Sequence, residues 1–326
     1  MENQGRVRLF VKTQTDDGQP LLLGVCGENG DWSAEEFAVV EKDLALVLNF
    51  GSNEPFSVLQ AAFKGFLGRT EKLEQAVRTG ERPEGSAYGA VQVYLYAFLT
   101  AMRSFLDQSD RRVKREFGAD SEQRKAFKSA TSREFDAHAA YRFLYHLRNH
   151  VQHHSVPLGP AAGTSTLVAS GTDRESVEHA FSVSCDRDLL LSEGRFPQIV
   201  THWLKQQDEQ FEITPLLRSC MKSLRDIRAD LDRQRAPVVL AAAERLEAVL
   251  SLFEGQVGEP GYGHIDTPGA DPQLLDFISI PMERYSLMIA SARMAVDKIS
   301  MESGEFLLID APEYQRLRLT FAPTDR

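Results

Sequence analysis

Histidine is unevenly distributed along this chain, and its clustering marks the tract best suited to proton transfer. Five of the eight histidines fall within seventeen residues: His138, His146, His150, His153 and His154. Near neutral pH an imidazole both gives and takes protons, because its unperturbed pKa is about 6.5. Arg148 and Asn149 stand in the same tract, LRNHVQHHSVPLGP. The planar donor fork of an arginine matches phosphate oxygens, so the tract combines acid–base groups with an anion-binding group.

The elements that must position this tract are helices. Apolar residues recur at three- and four-residue steps, and Gly118 and Pro157 provide stops. The pattern predicts helices over about 55–77 and 87–117, and a third from 122 into the histidine tract. Period-2 alternation around TDRES predicts a β-hairpin at about 164–186, and three more helices follow up to residue 255.

The flanking segments have a different character. Residues 1–54 form a small β-containing segment, in which VRLFVKT and LLLGVCG pair around TDDGQP. Asp31 and Ser33 are candidate caps for the stretch 34–50, which is apolar enough to be a helix or to include a strand. Residues 256–326 contain a Gly- and Pro-rich linker, a helix at about 282–300, and two closing strands in FLLID and YQRLRLTF.

The pattern R-N-x-x-x-H, at Arg148, Asn149 and His153, resembles the motif of HEPN domains. These are four-helix modules, many of which are metal-independent endoribonucleases. The resemblance covers about 55–255 and implies a mainly α fold: a HEPN-like helical bundle with a β-hairpin insertion and small β-containing N- and C-terminal additions. It also implies a homodimer, in which two motifs face each other across a two-fold axis.

The resemblance implies catalytic roles for the three motif residues. His153 would transfer the proton, Arg148 would stabilise the phosphorane, and Asn149 would hold the phosphate or orient the histidine. RNA would be the substrate, attacked by its own 2′-hydroxyl to leave a 2′,3′-cyclic phosphate, with no metal or other cofactor. Members of this kind act as toxins or phage-defence effectors, so an antitoxin or regulatory partner is a further expectation.

Four residues are candidates for supporting roles: Arg103, Asp107, His150 and His154. Arg103 and Asp107 lie four apart on one helix face, which favours an intrahelical ion pair. HEPN domains often contribute a polar residue from this second helix, so the resemblance also allows a role in the site. A basic run follows on the same helix. Its composition suits either a solvent-exposed helix face or binding to a phosphate backbone. The run consists of Arg111, Arg112, Lys114 and Arg115.

Several alternatives stay open. Arg148 is also suited to a helix C-terminus or to an ion pair, and His153 to a plain surface position. His146 and His150, four apart, with His153 or His154 one turn on, have a spacing that a metal site could use. The rival functions are a non-catalytic HEPN module that binds a nucleotide or a partner, and a purely structural interaction protein.

Composition excludes other classes of protein. The formal net charge of −10 excludes a globally basic nucleic-acid coat but not a local basic site. Three distant cysteines, Cys26, Cys185 and Cys220, give neither a disulfide framework nor a CxxC metal motif. Phosphate-loop, dinucleotide-binding, HExxH and GxSxG motifs are missing. No run of about 20 apolar residues is present, and the start lacks a signal peptide, so we expect a cytoplasmic protein without membrane contact.

Overall fold

A computed structural model describes residues 6–15, 17–25, 31–51, 54–81, 86–154, 158, 162–169, 175–193, 195–266 and 274–297. For residues 54 and 162–181 it describes the backbone alone. Within these ranges the protein is mainly helical, with a small antiparallel sheet, as the sequence predicts. None of the described helices is both long and apolar enough to cross a membrane.

The elements are numbered along the chain. The helices are α1 (Ala34–Leu48), α2 (Glu54–Thr79), α3 (Ala87–Phe117), α4 (Glu122–Ala137), α5 (Ala139–Val151), α6 (Arg187–Glu193), α7 (Gln198–Leu204), α8 (Thr214–Leu250) and α9 (Met282–Val296). The strands are β1 (Arg6–Gln14), β2 (Pro20–Val25), β3 (Trp32–Ser33), β4 (Ala162–Ala169), β5 (Glu175–Ser182), β6 (Ser184–Asp186), β7 (Gln210–Glu212), β8 (Glu259–Ile265) and β9 (Ile278–Ser279). A short 3-10 turn, Ser251–Phe253, follows α8.

The chain forms two compact units. The helical unit consists of residues 53–231, and the sheet unit combines residues 1–52 with 232–326. The first part of α8 belongs to the helical unit and the rest to the sheet unit. The predicted helical domain, 55–255, therefore overlaps the helical unit, while its last residues, 232–255, belong to the sheet unit.

In the helical unit α2 packs along α3, and α3 contacts both α4 and α5. The apolar stripe predicted for α3 is buried, because its members repeat every three or four residues and so face one side of the helix. The core contains Phe66, Phe98, Phe105, Phe143, Leu147 and Leu224. Burying each such side chain contributes about 1.5–3 kcal/mol, so this core fixes the position of α5 against α3.

The helix predicted from residue 122 into the histidine tract is in fact two helices. His138 has an extended backbone, with φ −119° and ψ 107°, and separates α4 from α5. The Arg142 guanidinium donates to the carbonyl oxygens of Phe135 and Asp136, at 2.8 and 3.0 Å. Because these carbonyls end α4 without helical partners, Arg142 stabilises the break. The R-N-x-x-x-H pattern thus lies at the end of a short, separate helix.

The predicted β-hairpin is confirmed in this unit. The backbone of β4 and β5 forms an antiparallel hairpin in which Ala162 is opposite Ser182. Cys185 and Cys220 are buried and free, and burial raises the pKa of both thiols, so they are unreactive core residues. Cys26 lies outside the described residues.

The sheet unit is built around an antiparallel sheet of strand order β2-β1-β8-β9, with β3 also paired to β1. The predicted N-terminal hairpin is confirmed, with Leu9 opposite Val25. The sequence allows a helix or a strand in the stretch 34–50, and the structure shows the helix α1 there. Ser33 and Glu36 make a capping box at its start. Asp31 does not cap this helix: its carboxylate binds the Arg8 guanidinium at 2.6 and 2.9 Å.

The Gly-rich stretch predicted as a linker contains an internal strand of the sheet, β8, so that prediction is wrong. β8 pairs with β1 on one side and with β9 on the other. A Cβ on Gly261 would lie 2.6 Å from the carbonyl oxygen of Ile278, and one on Gly263 would overlap the carbonyl oxygen of Asp276. These glycines therefore allow the neighbouring backbone to approach closely, which a flexible linker would not require.

A second correction concerns α8. The sequence predicts two helices separated near Pro237, whereas the structure shows one helix of 37 residues with Pro237 inside it. Proline removes one backbone donor, but buried neighbours such as Ala236 and Val239 hold the helix in the sheet-unit core. The closing strands predicted in FLLID and YQRLRLTF lie outside the described residues.

Candidate active site

The candidate site lies at the C-terminal end of α5, where one face of the helix is exposed. On an α-helix successive side chains are rotated by about 100°, so Arg148 and His150 lie on nearly opposite sides. Asn149 is exposed, Arg148 is half-buried beside it, and His150 is buried. The exposed face therefore carries Arg148 and Asn149, while His150 belongs to the core face.

The Arg148 guanidinium is held by two amide side chains. Its Nη1 donates to Oδ1 of Asn149 at 3.2 Å and to Oε1 of Gln152 at 2.5 Å. Among the described residues no carboxylate pairs with Arg148. Neutral amides orient the guanidinium without cancelling its charge, so the group stays available to an anion. The ion-pair alternative for Arg148 is not what the structure shows.

His153 and His154 follow the last turn of α5 and are exposed. The amides of both residues donate to the carbonyl oxygen of His150, at 3.0 Å each, which continues the helical winding for one more turn. The His153 side chain has no hydrogen bond or ion pair to another described residue. It is free to exchange a proton with a bound molecule, and the structure does not bring it into contact with Arg148.

His150 has a different environment from the other motif residues. It is 7% exposed, and both ring nitrogens are buried without a hydrogen-bond partner among the described atoms. Its ring stacks on His154, with centroids 4.7 Å apart, and on Phe196 at 5.5 Å. Burial lowers the pKa of His150, the nearby His154 lowers it further, and Glu193 opposes them. His150 is thus a packing residue of the core face, and its ring stacks on that of His154.

Arg103 and Asp107 join the neighbouring helix to the site. Arg103 Nε lies 3.0 Å from Asp107 Oδ2, which is the intrahelical pair that the sequence predicts. Arg103 also donates to the hydroxyl of Tyr145, one turn before Arg148. Burial lowers the pKa of Arg103, but the Tyr145 hydroxyl and Asp107 outweigh it and raise the pKa overall. Arg103 therefore connects α3 to α5 beside the motif.

A second contact between α3 and α5 fixes the end of the motif helix. The Tyr96 hydroxyl donates to the carbonyl oxygen of Val151, the last residue of α5. Because Tyr96 meets Val151 and Arg103 meets Tyr145, the two helices run antiparallel. Arg148 lies between these two anchors, and its position relative to α3 is thereby set.

The basic run lies away from the motif. Arg111 and Arg115 are 15 and 19 residues beyond Tyr96 on α3. At about 1.5 Å per residue this places them roughly 22–28 Å from the level of Val151. They belong to the other end of the helix, where Asp110 pairs with Arg124 at 2.8 Å.

The metal alternative requires a histidine set that the structure does not assemble. The His146 ring packs against Phe135 and Tyr145, and burial lowers its pKa. In the part of the chain that the structure describes, no three His, Cys, Asp or Glu side chains are grouped so as to hold a metal ion.

Gln152 and Tyr96 are site residues that sequence reasoning missed. Gln152 lies four residues after Arg148, and this i,i+4 spacing was a usable signal for a side-chain contact. Tyr96 lies on α3, 55 residues before Val151, so only the packing of the two helices reveals its contact.

Comparisons with known proteins identify no relative of this chain. No protein-family model matches the chain, and searches against curated proteins and against solved structures found no significant match.

Proposed function

We propose that this protein is a metal-independent endoribonuclease whose catalytic residues are Arg148, Asn149 and His153, carried by a HEPN-like bundle in the helical unit. The observation that supports it is the state of Arg148: a guanidinium oriented by the amides of Asn149 and Gln152, without a carboxylate counter-charge among the described residues. Such a group is preorganised for a phosphate, and the exposed His153 follows it in the next turn of the chain.

The chemistry requires proton transfer and charge stabilisation. A base removes the proton of the 2′-hydroxyl, the oxygen attacks the adjacent phosphorus, and an acid protonates the leaving 5′-oxygen. His153 supplies the proton transfer, and Arg148 donates to the phosphorane oxygens as their charge increases. The products are a 2′,3′-cyclic phosphate and a 5′-hydroxyl, so DNA is not cleaved.

One chain offers one His153, whereas the reaction needs both an acid and a base. A two-fold dimer that places two α5 ends together would supply both. The surface beside the motif suits such a contact: Val58 and Val93 are 59% and 65% exposed. A groove of about 490 Å³, lined in part by Tyr96, Ala97 and Thr100, lies on the same side of α3 as Tyr96. The proposal therefore includes a homodimer through the exposed faces of α3 and α5.

The test uses labelled RNA with the purified protein in EDTA. Wild-type protein is expected to cleave, and Arg148→Ala and His153→Ala are each expected to reduce kcat/KM by a factor of about 10² or more. His150→Phe is the matched control, because it changes a neighbouring histidine that faces the core, and it should retain cleavage. Cleavage that survives both alanine substitutions would contradict the site assignment.

The second candidate is a module that binds a nucleotide or a nucleic acid without cutting it. The observation in its favour is that no described contact joins Arg148 to His153, so a single chain does not present a converged acid–base pair. RNA binding that is lost in Arg148→Ala, unchanged in His153→Ala and never accompanied by cleavage would support this function. A role in toxin–antitoxin or phage-defence systems is testable in cells, where His153→Ala should relieve any toxicity of expression.

A further inference from the structure

The sheet unit contains a groove of about 910 Å³ that two helices line with one face each. The lining residues of α8 are spaced three and four apart: Leu240, Ala243, Glu244, Glu247 and Leu250. Those of α9 have the same spacing: Met282, Tyr285, Ser286, Ile289 and Arg293. Residues so spaced lie on one side of a helix, and each of these stripes extends over about three turns, or roughly 15 Å.

The interior of the groove is apolar. Val11 of β1 and Phe253 are buried members of its lining. Five apolar lining residues of the two helices pack against the core of the sheet unit and keep part of their surface exposed: Leu240, Ala243, Leu250, Met282 and Ile289. Val257, between the lining residues Gln256 and Gly258, is 82% exposed. Contiguous apolar surface that stays exposed is typical of a binding site.

The charge around the groove is mostly negative and lies on the α8 side. The charged lining residues are all exposed: Glu244, Glu247, Glu254 and Arg293. In the part of the chain that the structure describes, no Lys or Arg forms a salt bridge with the three glutamates. Arg245 pairs instead with Asp43, at 2.7 Å. An apolar interior beside uncompensated carboxylates is complementary to a partner that combines apolar and basic residues.

Tyr285 links the two helices that line the groove. It is 6% exposed, and its hydroxyl donates to the carbonyl oxygen of Ala243 on α8, at 3.4 Å. Burial raises the pKa of Tyr285 to about 12, and Glu247 and Asp43 add to the shift, so the hydroxyl stays a donor at neutral pH. Because this link exists before anything binds, a partner does not need to order the two walls.

We propose that this groove binds a basic amphipathic helix of a partner protein, about three turns long. Two helical stripes of that length already line the groove, and a third helix packs its own ridge of side chains between them. The apolar side chains of the partner contact Leu240 and Ile289, and its Lys and Arg residues pair with Glu244 and Glu247. An extended peptide would place only about five residues along the same length, with half of its side chains turned away.

A designed peptide tests the shape of the partner. The probe is fluorescein-labelled, about fourteen residues long and composed of leucine and lysine, with leucine at every third or fourth position. We expect it to bind the full-length protein, as measured by fluorescence anisotropy at about 150 mM salt. A peptide of the same composition in which leucine and lysine alternate has no apolar helix face and should bind about tenfold more weakly. Equal affinities, or no binding of either peptide, would overturn the proposal.

A matched pair of variants tests the charge. Glu244→Lys with Glu247→Lys should weaken binding of the helical peptide about tenfold or more. The control, Glu71→Lys with Glu81→Lys on exposed positions of the helical unit, changes the net charge by the same amount and should not weaken binding. Equal weakening by the two pairs would overturn the proposal, because the peptide would then respond only to the net charge of the protein.

A second pair of variants tests the apolar interior. Ile289→Lys places a charge inside the groove and should also weaken binding about tenfold. Leu287→Lys changes a residue of the same helix that is 40% exposed and does not line the groove, so binding should be retained. Unchanged binding in a folded Ile289→Lys variant would overturn the proposal, and the exposed glutamate pair tests the groove separately if this variant does not fold. Light scattering that shows a dimer dissociated by Ile289→Lys but not by Leu287→Lys would overturn it in favour of a second copy.

Discussion

At the residue scale, the candidate site separates two kinds of histidine that the sequence presents together. His153 is exposed and has no side-chain partner among the described residues, and His150 is buried between His154 and Phe196. The cluster could be located from the sequence, because residue types and spacing are visible in it. The two roles could not be distinguished there, since the division depends on which face of α5 is packed against the rest of the helical unit.

The burial of His150 has a consequence for stability at low pH. Its folded-state pKa is lowered, so the unfolded chain takes up a proton first as the pH falls below about 6.5, and stability is lost from that pH downwards. His150→Phe keeps the stacked ring but cannot be protonated. At pH 7.5 we expect its free energy of unfolding to lie between that of the wild type and a value about 1 kcal/mol higher.

The measurement is urea unfolding at pH 7.5 and 5.5, followed by Trp203 fluorescence in a Trp32→Phe background. The wild type should lose more stability between these values than His150→Phe, while the exposed-site control His153→Phe should behave as the wild type does. An unchanged pH dependence in His150→Phe would contradict the assignment of the shift to this residue.

Gln152 offers a test of the role proposed for the Arg148 charge. Gln152→Glu keeps the size of the side chain but places a carboxylate where the amide oxygen accepts from Arg148. Under the proposed function this ion pair competes with the phosphate, so RNA cleavage should fall about tenfold or more. The control Gln152→Ala removes the orienting group without adding charge and should have a smaller effect. A Gln152→Glu variant as active as Gln152→Ala would show that the charge state of Arg148 is not important.

At the element scale, most helices follow from their periodicity, and the errors arise from tertiary contacts. Pro237 continues a helix because buried neighbours hold it, and His138 breaks one because Arg142 caps the preceding turn. The glycine-rich sequence around Gly261 and Gly263 predicts a linker, whereas the two glycines permit close packing of strands. In each case another part of the chain supplies the deciding contact, which a local pattern does not contain.

The close approach of the neighbouring backbone at Gly263 predicts that a larger residue there destabilises the sheet unit. Gly263→Ala places a methyl group against the Asp276 carbonyl and should destabilise the sheet unit by about 1–3 kcal/mol. The control Gly68→Ala lies on α2 with no atom within 4 Å of the added carbon and should stabilise by about 0.5–1 kcal/mol.

The two tryptophans allow each unit to be followed separately. Trp32 lies in the sheet unit and Trp203 in the helical unit. A Trp203→Phe background leaves Trp32 as the reporter, and the urea midpoint of this signal should fall in Gly263→Ala. A fall seen by Trp203 in a Trp32→Phe background, but not by Trp32, would contradict the placement of the effect in the sheet unit.

At the scale of the whole molecule, charge is segregated. Residues 103–154 carry eleven Lys or Arg against seven Asp or Glu, although the whole chain has a net charge of −10. The basic run at Lys114 and Arg115 lies far along α3 from Arg148. A nucleic acid that binds only at the α5 end therefore meets few cations.

Under the proposed function, this arrangement predicts a weak dependence of RNA affinity on salt. With about two to four phosphates neutralised, a plot of log K against log salt concentration should have a slope of about −1.4 to −2.8. Lys114→Gln with Arg115→Gln should leave the slope unchanged, as measured by fluorescence anisotropy of labelled RNA between 50 and 200 mM salt. A decrease of about 1.4 in the magnitude of the slope would instead show that this run binds the backbone.

The pairing of β1 with β8 has a consequence for synthesis of the chain on the ribosome. Arg6 pairs with Ile265 of β8, so β1 cannot form this pairing until the whole helical unit has been synthesised. At about 5–20 residues per second this delay is roughly 12–50 s. The helical unit, whose own residues are complete by residue 231, is able to fold first. During that time the hairpin of β1 and β2 lacks its pairing with β8, so the sheet unit is completed last.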